Sequence, residues 1–311
     1  MNQNIIVTTT IYPLRAAIKK FATIKGWDLL IVGDKKTPHE QYISFSKLKS
    51  HCTYLSPDEQ DKRYRKISNA IGWNSIQRRN IGFIYAYEMG YELIASLDDD
   101  NEPLENWGKD IFINSSTPVD FYEVDSIAFD PLSPFKNKEI WHRGFPLELL
   151  ENRFKFARSH KKVTPLVQAN LWNGDPDIDA MSRISFKPEV KFPNSINPYS
   201  SSSLMPFNSQ NTILSREVIP FYFVLPFIGR MDDIWAAYIF QNYFSDKIVF
   251  AEATVFQNRN EQSLITNLEN EIFGYRNTLD LLNDLKNYRR YLPQNTLSAL
   301  TEYRSNFDEW T

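Results

Sequence analysis

The chain lacks the marks of several common protein classes. Of its 311 residues only Cys52 is a cysteine, which excludes an internal disulfide and a disulfide-stapled secreted scaffold. No apolar stretch approaches the roughly 20 residues that cross a bilayer, so any membrane contact is expected to be peripheral. The opening MNQNIIVTTT has neither the basic start nor the long apolar run of a secretory leader, and a cytoplasmic address is the expectation. Charge of one sign is also lacking. Lys+Arg 35 against Asp+Glu 38 leaves a formal net charge of −3, too little to draw nucleic acid or an anionic membrane by a general field. Any phosphate binding must therefore be local, and no internal repeat is visible. What is present is 42% hydrophobic and 14% aromatic residues, ample for the core of one large α/β domain or two small ones.

The most informative stretch is residues 91–102, YELIASLDDDNE, where an apolar run ends in Asp98, Asp99 and Asp100. Leu93, Ile94, Ala95 and Leu97 form a nearly continuous hydrophobic run, as in a strand covered on both faces of a mainly parallel sheet. Ligands of open α/β sheets collect at the carboxyl ends of strands, where these aspartates fall. Three adjacent like charges repel unless a cation shares them, and hard oxygens suit Mg²⁺ or Mn²⁺. Such an ion binds through one or two carboxylates and completes its shell with water and substrate phosphates, so the candidate ligand is a nucleoside diphosphate. A solvated acidic turn is the alternative, and the residues alone leave the two open.

The rest of the chain supports an α/β reading. Residues 5–10 predict a first strand, with Pro13 in the first turn of a helix running to about Lys25. Residues 28–33, DLLIVG, predict a second strand, followed by the loop GDKKTPHEQY, whose Gly33 and Asp34 stand where a Rossmann-like sheet contacts a nucleoside. Residues 51–66 read as charged and irregular. Residues 74–89 predict a helix with Ile76, Phe83, Ile84 and Tyr87 on one stripe and Gly90 past its end. Arg78, Arg79 and Asn80 lie off that stripe, either facing solvent or reaching a pyrophosphate with the Arg fork. The alternation of strand and helix implies a parallel sheet.

Beyond Pro103 the pattern shifts to short strands and loops. Residues 187–207, rich in Pro and Ser, predict a long loop of the kind that forms lids or acceptor-site walls. Residues 211–216 predict a strand. A helix follows, with Ile234, Trp235, Tyr238 and Ile239 on a stripe and Asp232 and Asp233 at its start. The helix dipole alone accounts for two acids there. An ionised carboxylate in that place also suits a general base. After the strand KIVFAEATVF, residues 261–311 predict an amphipathic helical tail.

These residues carry a family resemblance. The chain resembles the STELLO glycosyltransferase family through IIVTTTIYP, IKGWDLLIVGDKKTP, CTYLSPDEQ, RRNIGFIYAYEMG and DDDNE. It is more distantly similar to the reversibly glycosylated polypeptides, or UDP-arabinopyranose mutases, through HRGFP, NLWNGDPDIDA, NTILSRE and GRMDDIW. The resemblance covers roughly residues 5–260. It implies a GT-A-like, Rossmann-like α/β domain over residues 1–260, its mainly parallel sheet flanked by helices, with 261–311 as a helical extension packed on it.

The resemblance also implies roles. Thr9, Gly33, Asp34 and Arg79 would line the nucleoside and diphosphate pocket, with Asp99 grouped among the donor-binding residues. Asp98 and Asp100 would be the DXD pair that holds Mn²⁺ or Mg²⁺. Asn211 and Arg216 would border the sugar and acceptor space. Asp232 or Asp233 would act on the acceptor hydroxyl, Asp233 as base if the reaction inverts, with Arg143 beside them as the third catalytic candidate. The donor would be a nucleotide sugar, expected to carry UDP, and the acceptor a glycan or lipid-linked molecule in surface polysaccharide synthesis, with an oligomer left open.

Two departures bear on the choice. The mutases carry a DPYR-type segment before RGYP whose arginine becomes glycosylated. Here SPFKNKEIWHRGFP puts Lys136 in that place and keeps only Arg143, and a lysine does not replace a guanidinium. Gln257 stands near the position where many GT-A enzymes have a late His ligand. The expected function is therefore metal-dependent glycosyl transfer to a separate acceptor, with a UDP-sugar mutase and a non-catalytic regulatory protein as the alternatives. A DxD phosphatase is not expected, because its nucleophilic Asp belongs near the N-terminus.

Overall fold

A computed structural model describes residues 2–308, so Met1 and the last three positions of the expected tail lie outside the described residues. The elements in chain order are β1 (Asn4–Thr10), α1 (Ala16–Phe21), β2 (Trp27–Gly33), α2 (His39–Leu48), β3 (Cys52–Leu55), α3 (Pro57–Arg63), α4 (Arg65–Ile71), α5 (Arg79–Glu88), β4 (Leu93–Asp98) and β5 (Asn101–Pro103). They continue with β6 (Thr117–Glu123), β7 (Ala157–Val163), β8 (Val167–Gly174), α6 (Ala180–Phe186), β9 (Tyr199–Ser201), β10 (Asn211–Ser215), α7 (Asp232–Gln241), β11 (Ile248–Gln257), α8 (Leu264–Asn283) and α9 (Gln294–Arg304).

All strands join one sheet in the order β3-β2-β1-β4-β10-β8-β11-β9-β6-β7, with β5 paired to β11 off this path. The first four in that order are parallel. Their Val, Leu and Ile runs are buried because helices cover both faces. β10 enters antiparallel between β4 and β8, and β11 runs parallel to β8. As a result β1, β4, β8 and β11 all point their carboxyl ends to the same edge. This is an α/β sheet flanked by helices, of the Rossmann-like type expected from the sequence.

Several local expectations are corrected. The first helix starts at Ala16, so Pro13 precedes it. The second half of GDKKTPHEQY opens α2. Residues 51–66 are ordered into β3, α3 and the start of α4. Ser56 caps α3 by accepting from the Glu59 N–H, while the Glu59 carboxylate accepts from the Ser56 N–H, a capping box legible as SPDE. The helix expected over 74–89 splits into a 3-10 turn, Ile76–Arg78, and α5, which leaves Ile76 exposed. Arg78 and Arg79 do not face solvent; both are buried. The long loop 187–207 contains β9, which pairs with β11 and β6, so its centre belongs to the sheet.

One connected core runs from the sheet to the last helix, where Leu300, Tyr303 and Phe307 are buried. The C-terminal helices are tied down by polar contacts as well. Trp235 donates to Thr278 at 3.0 Å, and the Tyr303 hydroxyl donates to the Ile219 carbonyl at 2.8 Å. No helix among the described residues is long and apolar enough to cross a membrane.

Candidate functional site

The carboxyl edge carries a cleft of about 290 Å³. Its first wall is β1 beside β4, registered so that Thr9 faces Asp98. The turn after β4 sends the three aspartates in different directions. Asp98 accepts from the Arg79 guanidinium at 2.5 Å. Asp99 turns back onto β1 and accepts from the Thr10 hydroxyl. Asp100 accepts from the Asn260 N–H at 3.2 Å and faces the Gln257 side-chain amide at 3.5 Å. Burial raises Asp99, and burial followed by the charges of Asp98 and Asp99 pushes Asp100 up to about 7. Among the described residues no group of three or more His, Cys, Asp or Glu is arranged to hold a metal ion. Asp98 and Asp100 both line the cleft, while Asp99 is turned toward Thr10.

Arg79 forms the floor. It donates to Ser96 at 2.9 Å and to the Ser209 hydroxyl at 2.8 Å, and its Nε has no partner. Burial would lower its pKa, but Asp98 outweighs that and raises it, so the guanidinium stays charged.

The opposite wall is a buried charge network. Arg143 donates to Asp177 at 2.7 Å and to Asp233 at 2.9 Å, and its guanidinium also reaches the Arg230 carbonyl. Arg230 bridges Asp177 and Glu271, at 2.9 and 2.8 Å, and Arg259 reaches Asp177 at 3.4 Å. Burial works to raise Asp177, yet Arg143, Arg259 and Arg230 hold it well below the usual carboxylate range. Asp233 is likewise lowered, Arg143 overcoming burial, and its second oxygen accepts from the Ser209 N–H at 2.8 Å. Its neighbour Asp232 is pushed up to about 8, by burial and then by the Asp233 charge. Gly144 makes this junction possible. It sits at φ +75, and a Cβ there would lie 2.2 Å from Ile234 of α7.

Thr9, Arg79, Asp98, Asp99, Asp100, Arg143 and Asp233 thus share the cleft. Gly33, Asp34, Asn211 and Asp232 are not on its lining. Gly33 lies against the Tyr54 ring, and its carbonyl accepts from Gln60 at 2.7 Å. Both Asp34 oxygens are taken by backbone N–H groups, Asn74 at 2.8 Å and Ser75 at 2.9 Å. Asp34 therefore shapes the cleft wall from behind. Asn211 ties β10 to its neighbours through the Leu171 carbonyl and Thr254, both at 2.9 Å. Asp232 accepts from Gln77 at 2.8 Å. Arg216 reaches the Tyr87 carbonyl at 3.2 Å, and neither it nor any residue of the 187–207 loop lines this cleft.

Asp177, Ser209 and Arg259 also line the cleft and were not expected from the sequence, whereas Arg230 stands just before the two acids expected to serve as base. One usable signal existed: Arg259 follows the strand 248–257, whose carboxyl end had to fall on the ligand edge if that strand ran parallel to β4.

No protein-family model matches the chain. Two curated proteins of Arabidopsis thaliana do. It is 23% identical over 235 residues to "Probable glycosyltransferase STELLO1" and 24% identical over 230 residues to "Probable glycosyltransferase STELLO2". The chain is thus distantly similar to both STELLO proteins. Each alignment covers 67% of this chain but 29% of the relative, so the chain spans under a third of the length of the curated proteins it matches.

Proposed function

We propose that the cleft transfers a sugar from a nucleoside-diphosphate donor, with UDP the expected nucleotide, to a hydroxyl of a separate acceptor, assisted by Mg²⁺ or Mn²⁺. The observation that carries this is the convergence of Asp98, Asp100, Arg79 and the Arg143–Asp233 pair on one cleft at the sheet's carboxyl edge. A diphosphate calls for cations and a divalent ion calls for carboxylates, and both are present around one cleft. The STELLO relatives, named as probable glycosyltransferases, point the same way.

The donor set fits such an ion: two hard carboxylates suffice where water and phosphate oxygens complete the shell. When bound, the ion would neutralise charge on the departing diphosphate. The chain's own residues supply the rest. Arg79, held charged, fixes the Asp98 oxygen and adds positive potential beneath the phosphates. Asn260 orients Asp100. Asp233 stays ionised and would take the proton from the acceptor hydroxyl. Its pairing with Arg143 makes it a weak base. That suffices when the transition state resembles an oxocarbenium ion, because the attacking oxygen becomes acidic before its proton leaves.

Self-glycosylation of an arginine is disfavoured. Arg143 is held protonated, far above the ordinary range, as its carboxylate partners overcome burial, and a guanidinium is no nucleophile. Lys136 is exposed and off the cleft lining. A glycan or lipid-linked acceptor, a cytoplasmic address and a place in polysaccharide synthesis belong to the same proposal.

Calorimetric titration with UDP, with and without Mn²⁺, on the native protein and on Asp100→Asn tests it. Binding should need both the ion and Asp100. Metal-independent binding that Asp100→Asn leaves untouched would overturn the metal assignment, and no binding of UDP at all would overturn the nucleotide.

A further inference from the structure

β8 and β11 end side by side at Gly174 and Gln257, on the edge that carries the cleft. Beside the cleft there, a second depression of about 400 Å³ is lined by Gly174, Asp175, Arg183, Glu189, Phe256 and Asn258 among others, and Gln257 belongs to the linings of both. The dividing wall is Arg259, whose guanidinium lies 3.8 Å from Asp175 on one side and 3.4 Å from Asp177 on the other.

Three features distinguish this depression from an ordinary surface hollow. Phe256 is 40% exposed, although the rest of β11 is buried or half-buried. A core strand that breaks its pattern with an aromatic ring loses burial there, so the ring is available to something else. Gly174 lets the ring settle against the backbone: it adopts φ +91, and a Cβ would meet the Gln257 carbonyl at 2.5 Å and the Phe256 ring at 3.0 Å. Arg183, 7% exposed, carries an Nε with no hydrogen-bond partner, while its other nitrogens hold Asp175 and the Pro176 carbonyl.

From this arrangement we infer that the depression is a carbohydrate subsite, in which one sugar ring of the acceptor lies on Phe256 and its hydroxyls bond Asp175, Glu189 and Asn258. The inference rests on the proposed transfer reaction and names the class of its acceptor as a glycan. A sugar ring presents a face of C–H groups and a rim of hydroxyls. An apolar ring set among carboxylates and an amide matches both parts, as in pockets where a few polar groups orient an apolar contact. Continuity through Gln257 puts a ring bound here beside the donor cleft, so a neighbouring sugar of the same chain could present its hydroxyl to Asp233.

Saturation-transfer NMR with a panel of glucose, galactose and mannose disaccharides tests the site, run on the native protein, Phe256→Ala and Phe256→Trp, with UDP·Mn²⁺ calorimetry on the same samples. At least one disaccharide should receive saturation at its ring C–H protons. Affinity should fall about tenfold in Phe256→Ala, the factor for losing one aromatic contact, and return in Phe256→Trp. UDP binding should be equal in all three. No disaccharide binding by the native protein, or equal binding by native and Phe256→Ala, overturns the subsite even where UDP binds. Disaccharide binding that depends on Phe256 in a protein that never binds UDP would keep the subsite and overturn the donor assignment instead.

Discussion

Arg143 and Asp233 meet in a 2.9 Å ion pair, both buried, although they come from separate parts of the chain: a loop before β7 and the first turn of α7. Asp177 completes the neutralisation, sharing the same terminal nitrogen of the guanidinium at 2.7 Å and accepting from its Nε at 3.1 Å. Removing the cation leaves Asp233 buried without its ion-pair partner, while Asp177 keeps Arg230 and Arg259. Arg143→Ala should therefore cost about 3–5 kcal/mol of stability, measured by urea unfolding. Arg143→Lys should recover only part, because an ammonium cannot bond two carboxylates with a planar fork.

Asp98→Asn and Asp100→Asn should abolish metal-dependent UDP binding. Asp98→Asn also strips the buried Arg79 of its carboxylate and should be destabilising, whereas Asp100→Asn should differ from Arg143→Ala in its effect on stability. Asp100 is buried beside two like charges, so neutralising it relieves repulsion, and the unfolding midpoint should hold or rise. Calorimetry and urea titration on the same samples separate the two outcomes.

Asp233→Asn should leave donor binding intact and remove transfer, because the amide keeps the shape but cannot accept the hydroxyl proton. Product formation from a radiolabelled UDP-sugar, with UDP binding measured in parallel, checks this. Retained transfer would move the base elsewhere in the cleft or imply a retaining mechanism.

Stability should carry a recognisable pH signature from Asp179. Burial, then the Glu271 charge, pushes this carboxyl up to about 7 from 3.8. Between those values the folded protein keeps a proton that the unfolded chain has released. Its contribution to stability is thus full below the lower value and falls as pH rises to the upper one, by at most about 1.4 kcal/mol per pH unit. Asp179→Asn should flatten that slope while still capping α6 through the Met181 N–H, and urea midpoints across the window measure it. His142 works in the opposite sense. Burial lowers it to about 4 from 6.5, so its contribution is present above that window and is lost as pH falls through it.

By itself the sequence determined the element types around the site and the placement of its acids. The run YELIASL could only be a covered strand, its three aspartates had to fall at the strand end, and the stripe after Asp232–Asp233 had to be a helix, because hydrophobic period is a local property. It failed where local polarity hid order. The charged stretch 51–66 holds a strand and two helix starts, and Arg78 and Arg79 are buried through partners distant in sequence. Only the tertiary structure decided which side chains converge. Insertion of antiparallel β10 between β4 and β8 brings the ends of β8 and β11 to the ligand edge. That placement recruits Asp177 and Arg259, and it leaves Asn211 holding the sheet together while Asp34 braces the cleft loop. Strand order is set by the packing of the whole sheet, and no local pattern encodes it.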